Sequence, residues 1–253
     1  MKIEKNSILH FNGVSFVVPF VLITSCFALW GFANDITNPM VKAFSKIFRM
    51  SVTEGALVQV AFYGGYFAMA FPAAIFIRRF SYKAGVMLGL GLYALGALLF
   101  LPAKETGEYY PFLIAYFVLT CGLSVLETSC NPYILAMGSE DTATRRLNLA
   151  QAFNPVGSLL GMFVAMNFIQ NRLDPADTAD RANMGEAAFE AVKEHDLSVL
   201  IGPYLIIGLI VIAMLLVIRF SGIPKCGEAS KKINFFGSVR RIFKLRRYRE
   251  GVV

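Results

Sequence analysis

The sequence predicts an all-helical membrane protein of six spans, with both termini on the cytoplasmic side. Three observations carry that prediction. Of the 253 residues, 56% are apolar and only 16% charged, with a mean hydropathy of +0.58; six apolar stretches reach bilayer length; and basic residues collect in every second connection. The composition lies outside the usual range for a water-soluble domain.

A span needs about 20 mainly apolar residues, because a helix rises ~1.5 Å per residue and the hydrocarbon core is ~30 Å thick. The qualifying stretches fall at about 14–39, 55–77, 84–103, 109–137, 147–169 and 198–220. Each is expected to be helical, since an isolated open strand would leave backbone N–H and C=O groups unpaired in lipid. The first stretch follows a short cytoplasmic segment, residues 1–13. It is too long for a signal-peptide core and no small-residue cleavage site follows it, so it is read as a span.

The connections set the orientation. Arg78, Arg79 and Lys83 lie between spans two and three, Arg145 and Arg146 between four and five, and a basic tail follows span six. By the positive-inside rule these regions face the cytoplasm, with Lys2 and Lys5 of the N-terminus. Residues 170–197 carry seven acids against three bases and are expected outside. The first loop runs against the trend, with Lys42, Lys46 and Arg49 outnumbering Glu54 on the external side.

The formal net charge of +7 has a local origin, because residues 221–253 hold nine Lys or Arg against two Glu. The segment VRRIFKLRRYRE is either an amphipathic helix on anionic lipid or a solvated basic linker. No aromatic or Gly-rich RNA-binding signature accompanies it, so no nucleic-acid partner is expected.

Cysteines and histidines exclude further classes. Cys26, Cys121, Cys130 and Cys226 show no CxxC pair or metal-ligand spacing. His10 and His195 fall outside the apolar stretches. No metal site, no cofactor and no enzyme are expected: an embedded nucleophile would have no imidazole or lysine to activate it.

The polar groups within the spans are the informative residues. WGFANDITNP in span one and LETSCNPY in span four each place an acid three or four residues before an Asn-Pro pair, Asp35 before Asn38-Pro39 and Glu127 before Asn131-Pro132. Spans one and four hold equal rank if six helices are read as three plus three, so the match suggests an internal repeat. A third pair, Asn154-Pro155, lies in span five. Proline in a helix frees a carbonyl that needs a partner, which lipid tolerates beside a cavity or a neighbouring helix.

Helical spacing gathers these side chains on faces. Glu127 and Asn131 are four apart, Asn148, Gln151 and Asn154 three apart, and Trp30, Asn34 and Asn38 four apart; Gln59, Tyr63 and Tyr66 extend the pattern to span two. Facing stripes would enclose a wet pocket. Gly64 and Gly65 allow close helix approach there. Trp30 is either a platform for an apolar sugar face or an interfacial anchor.

A charged acid at mid-span costs ~2.5–3.5 kcal/mol on insertion scales, and protonation removes that cost. Glu127 is therefore expected to carry a proton, with no intramembrane Lys or Arg to pair with it. Asp35 is a second candidate for proton coupling, nearer the outer interface. The alternative reading is a membrane scaffold or sensor in which both acids only hold helices together.

WGFANDITNP, QVAFYGGYFAMAFPA, SYKAGVMLGLGLYALGALLF, LETSCNPY and RLNLAQAFNPVGS together resemble the fucose permease branch of the major facilitator superfamily, from about residue 16 to 220. The resemblance implies a proton-driven monosaccharide importer in the cell's inner membrane, working by alternating access on fucose or a related hexose. It implies that Glu127 is an essential protonatable group and that Gln151 and Asn154 contact sugar. The span-one acid transfers less directly: an ungapped match puts Asn38 at the family's aspartate, whereas the local NDIxxP pattern puts Asp35 there.

Members of that family have twelve spans in two halves. Six spans and a basic segment correspond to the amino-terminal half and the start of the linker, so residues 221–253 are expected to end before a second half. The partners implied are a monosaccharide, a proton, the bilayer, and either the missing half or a second copy of the chain.

Overall fold

The computed structural model describes residues 8–11 and 14–222. Among them six helical segments are long and apolar enough to cross a membrane: Val17–Thr37, Val52–Arg79, Tyr82–Thr106, Tyr109–Ala136, Glu140–Arg172 and Glu186–Phe220. A two-stranded ribbon, β1 (His10–Phe11) and β2 (Val14–Ser15), precedes them. The basic tail beyond residue 222, with the segment VRRIFKLRRYRE, lies outside the described residues.

Local chemistry explains most boundaries. Span one, α1 (Val17–Thr37), stops at Asn38-Pro39, and the chain resumes as α2 (Met40–Ile47), so this Asn-Pro pair marks a junction rather than an interior kink. Ser51 and Glu54 form a reciprocal capping box that starts α3 (Val52–Gly55), which leads into span two, α4 (Leu57–Arg79). Ser81 caps α5 (Tyr82–Leu98), and α6 (Phe100–Thr106) completes span three before Gly107 turns the chain at φ 64°. Span four is the continuous α7 (Tyr109–Ala136).

Span five is broken. It comprises α8 (Ala143–Gln151), α9 (Phe153–Val164) and a π-helical turn over Ala165–Ile169. Pro155 sits in the first turn of α9, where its missing N–H costs little. After the short α10 (Thr178–Ala182), span six is α11 (Glu186–Phe220), which begins at Glu186 rather than near 198. Half of the predicted acidic loop is thus helix: EAAFEAVKEHDL is rich in helix formers and buries Phe189 and Leu197, but its polar face hides it from a hydropathy reading.

The spans pack in a three-plus-three arrangement. Spans one and five form one close pair, spans two and four another, and exchanging the two triplets maps these pairs onto each other. Close approach depends on glycine. A Cβ at Gly157 would run into the Ala28 carbonyl, and one at Gly161 would lie 2.5 Å from the Phe32 carbonyl. In span two the close glycine is Gly65, against Phe117 and Thr120, whereas Gly64 meets only the Phe117 ring at 3.9 Å. Span four also packs on span three, where a Cβ at Gly89 would lie 2.9 Å from the Gly122 carbonyl.

One end of the bundle is closed by a rigid cap. Phe44 of α2 packs against Tyr109, Phe112 and Tyr116, and Phe100 stacks on Tyr204 with centroids 4.2 Å apart. Over this cluster Arg181 and Asp196, both fully buried, pair at 2.6 Å, and Arg181 also donates to the carbonyls of Ala176, Lys46 and Asp174. Lys46 donates to the Asp174 carbonyl at 2.6 Å, and Arg49 donates to the Met184 carbonyl with its guanidinium over the Phe189 ring. Two of the three cations that made the first loop look anomalous are therefore clasps within the cap. At the opposite end Arg146 is also buried, donating to the carbonyls of Ile134, Leu135 and Ser139. Of the Arg145–Arg146 pair only Arg145 presents its charge at the surface.

Two stability outcomes follow. Asp196→Ala strands the Arg181 charge and should cost about 3–5 kcal/mol, read from unfolding in mixed detergent and SDS, while replacing Arg181 and Asp196 together with apolar residues should recover most of the loss. Gly157→Val should prevent formation of the folded bundle, seen as loss of the monodisperse peak on size exclusion.

Candidate functional site

The polar side chains form a ladder down the face shared by spans one, two, four and five. Nearest the cap, Gln59 Nε2 donates to Asn38 Oδ1 at 3.4 Å. About 10 Å deeper, two helical turns along α4, Tyr66 joins both remaining members of the span-one stripe. Trp30 Nε1 donates to Tyr66 Oη at 2.5 Å, and that hydroxyl donates in turn to Asn34 Oδ1 at 3.5 Å. Toward the other end Gln151 Nε2 donates to Asn131 Oδ1 at 3.2 Å, linking spans five and four.

Glu127 stands between these rungs. It lines a cavity of about 530 Å³ with Tyr66, Ser124, Thr128 and Asn131, and its other side meets Cys26, Phe27 and Trp30. Its backbone carbonyl accepts from Asn131 Nδ2 at 3.0 Å. Among the described residues no hydrogen bond or ion pair reaches its carboxylate, so the i, i+4 relation with Asn131 fixes the helix backbone and leaves the acid free.

The local sequence explains this opening. Pro132 has no N–H to offer the Thr128 carbonyl, and the Thr128 hydroxyl bonds back to the Ser124 carbonyl at 2.8 Å. The Ser124 hydroxyl donates across to the Tyr66 carbonyl at 3.3 Å. One turn of α7 is thereby held polar and facing span two.

Other predicted residues are placed differently. Asn154 points its amide at the Phe27 carbonyl, 3.3 Å away, and so joins span five to span one beside the glycine contacts. Asp35 is half-buried, and among the described residues its carboxylate has no hydrogen-bond or ion-pair partner. Tyr63 is 62% exposed and lies off the ladder, and Tyr66 takes the position expected of it. Tyr63 and Tyr66 are three residues apart on one face, so spacing alone does not separate them. Ser124 and Thr128 carry no distinguishing sequence signal, because short hydroxyls in an apolar run look like packing residues. Among the described residues no His, Cys, Asp or Glu cluster is arranged to hold a metal.

This broken-helix, polar-faced bundle matches the family model of the Major Facilitator Superfamily over residues 23–224. The chain belongs to that superfamily. Within the Major Facilitator Superfamily it is 50% identical over 245 residues to the L-fucose-proton symporter of Haemophilus influenzae, covering 94% of this chain and 57% of that protein. The L-fucose-proton symporter of Escherichia coli is 34% identical over 243 residues, again 94% of this chain and 56% of the relative. A crystal structure of an alanine variant of the E. coli fucose:proton symporter, FucP, superposes with a TM-score of 0.80 over 93% of this chain and 58% of the other. The chain thus spans little more than half the length of the curated relatives it matches.

Trp30 is the single tryptophan of the sequence, so its fluorescence reports this ladder alone. Tyr66→Phe removes the acceptor of the indole N–H, and its emission maximum should shift to shorter wavelength, with a stability loss of about 1 kcal/mol. Tyr63→Phe should leave the spectrum unchanged.

Proposed function

We propose that the chain forms the amino-terminal half of a proton-coupled importer of fucose or a related hexose in the cell's inner membrane. Asn and Gln amides of the ladder, Asn34, Asn38, Gln59, Asn131 and Gln151, bind sugar hydroxyls, with Trp30 as the apolar platform, while Asn154 holds span five to span one. Glu127 exchanges the proton, and Asp35 is a second proton-carrying candidate. The N-terminus and the end bearing Arg78, Arg79 and Lys83 face the cytoplasm, and the cap faces outward. The two L-fucose-proton symporters among the relatives support the substrate class.

The observation that carries the reading is the placement of Glu127: a half-buried carboxyl group within a long apolar helix, opening on a cavity lined by hydrogen-bonding groups, with no cation beside it among the described residues. A low-dielectric surrounding favours the neutral acid, and an aqueous opening lets the proton leave. If protonation and sugar each favour one orientation of the bundle, their affinities are reciprocally coupled. The scaffold alternative has less support, because a structural acid would be tied to a neighbouring helix, as Asn154 is.

Alternating access requires a second bundle rocking against this one, so the test uses the chain joined to a second six-span half. In proteoliposomes, Glu127→Gln should reduce uphill accumulation of labelled L-fucose driven by a proton gradient by roughly tenfold or more, with sugar exchange at equal concentrations retained. Unchanged accumulation would remove the coupling role.

A further inference from the structure

The three-plus-three arrangement is broken between spans six and one. Exchange of the two triplets maps the contact of span three on span four onto a contact of span six on span one. The first is tightly packed through Gly89 and Gly122. At the second the helices stand apart, and a cavity of about 630 Å³ lies between α11, α9 with its π-helical turn, and Phe32 of α1.

Two features hold this groove open. A Cβ at Gly202 would meet nothing within 4 Å, so this glycine leaves space rather than filling a close crossing. The π turn at Ala165–Ile169 interrupts the regular α-helix of span five where Phe168 lines the groove. Pro203 beside Gly202 has no N–H for the Val199 carbonyl, which lies on the groove.

The lining changes character along its length. From Ile210 to Gly202 it is hydrocarbon, and at the cap end it finishes in Arg172 and His195. Along α11 that distance is about 22 Å. The Arg172 guanidinium is exposed at the mouth and lies over the Phe168 ring, 5.2 Å from its centroid. His195 is exposed and touches Asp196, whose charge is already matched by Arg181. The mouth therefore presents a cation with no free acid among the groove residues.

We propose that this groove is a site for one anionic membrane phospholipid, its acyl chain along Gly202, Ile206 and Ile210 and its phosphate on Arg172. An apolar slot of this length with a guanidinium at one end suits an amphiphile with an anionic head. A sugar finds too few hydrogen-bonding groups in it. The bound chain supplies the packing that the broken repeat leaves out.

Native mass spectrometry of the detergent-purified chain, titrated with phosphatidylglycerol or phosphatidylcholine, tests the assignment. Phosphatidylglycerol should be retained in preference to phosphatidylcholine. Arg172→Gln should lower its retention roughly tenfold and erase the preference. Gly202→Trp, which fills the slot, should lower retention of both lipids, while Val217→Trp, on the exposed surface of the same helix beyond the groove, should change neither. Equal retention of the two lipids by the wild type, or retention unaffected by Arg172→Gln and Gly202→Trp, would overturn the proposal. So would a dimer lost only in Gly202→Trp, because a second copy of the chain would then occupy the groove.

Discussion

The constraint on which the rest depends is the isolation of one carboxyl group. Glu127 lies in α7 about 27 Å along the helix from Tyr109, half-buried on a cavity, and among the described residues no cation pairs with it. A permanently charged acid there would be expensive, and an asparagine would serve packing as well. The surrounding chain is arranged to keep the group both buried and approachable: Pro132 and the Ser124 and Thr128 hydroxyls hold a polar turn, and Tyr66 places a hydroxyl on the same cavity.

Rigidity around that group comes from two kinds of packing. Glycines bring spans one and five, two and four, and three and four into backbone contact, so that side-chain positions on the shared face are set by helix geometry. At one end the Arg181–Asp196 pair and the aromatic cluster around Phe44 tie α2, α10 and the start of α11 together. Packing of this kind holds the side chains of the shared face in fixed relation to one another in this bundle of the Major Facilitator Superfamily.

The helices were legible in the sequence wherever apolarity and span coincide, and the start of span six was not, because an amphipathic extension such as EAAFEAVKEHDL carries no hydropathy signal. Loop charges gave a topology but concealed the buried cations: nothing in the one-dimensional pattern separates Arg145, at the surface, from Arg146, capping α7. In the candidate site, helical spacing placed Asn131 one turn from Glu127 and Trp30, Asn34 and Asn38 on one face. It did not show that Asn154 would bond a backbone carbonyl, or that Tyr66 rather than Tyr63 would stand between Trp30 and Asn34, since those outcomes depend on rotation of one helix against another.

Infrared difference spectroscopy of the chain joined to a second six-span half reads the proposed ionisation of Glu127 directly. Addition of L-fucose at fixed pH should produce a carbonyl stretching band of a protonated carboxylic acid that is absent in the Glu127→Gln protein. A spectrum in which that band neither appears nor shifts with sugar or pH would contradict the account, because the glutamate would then hold one charge state throughout the cycle.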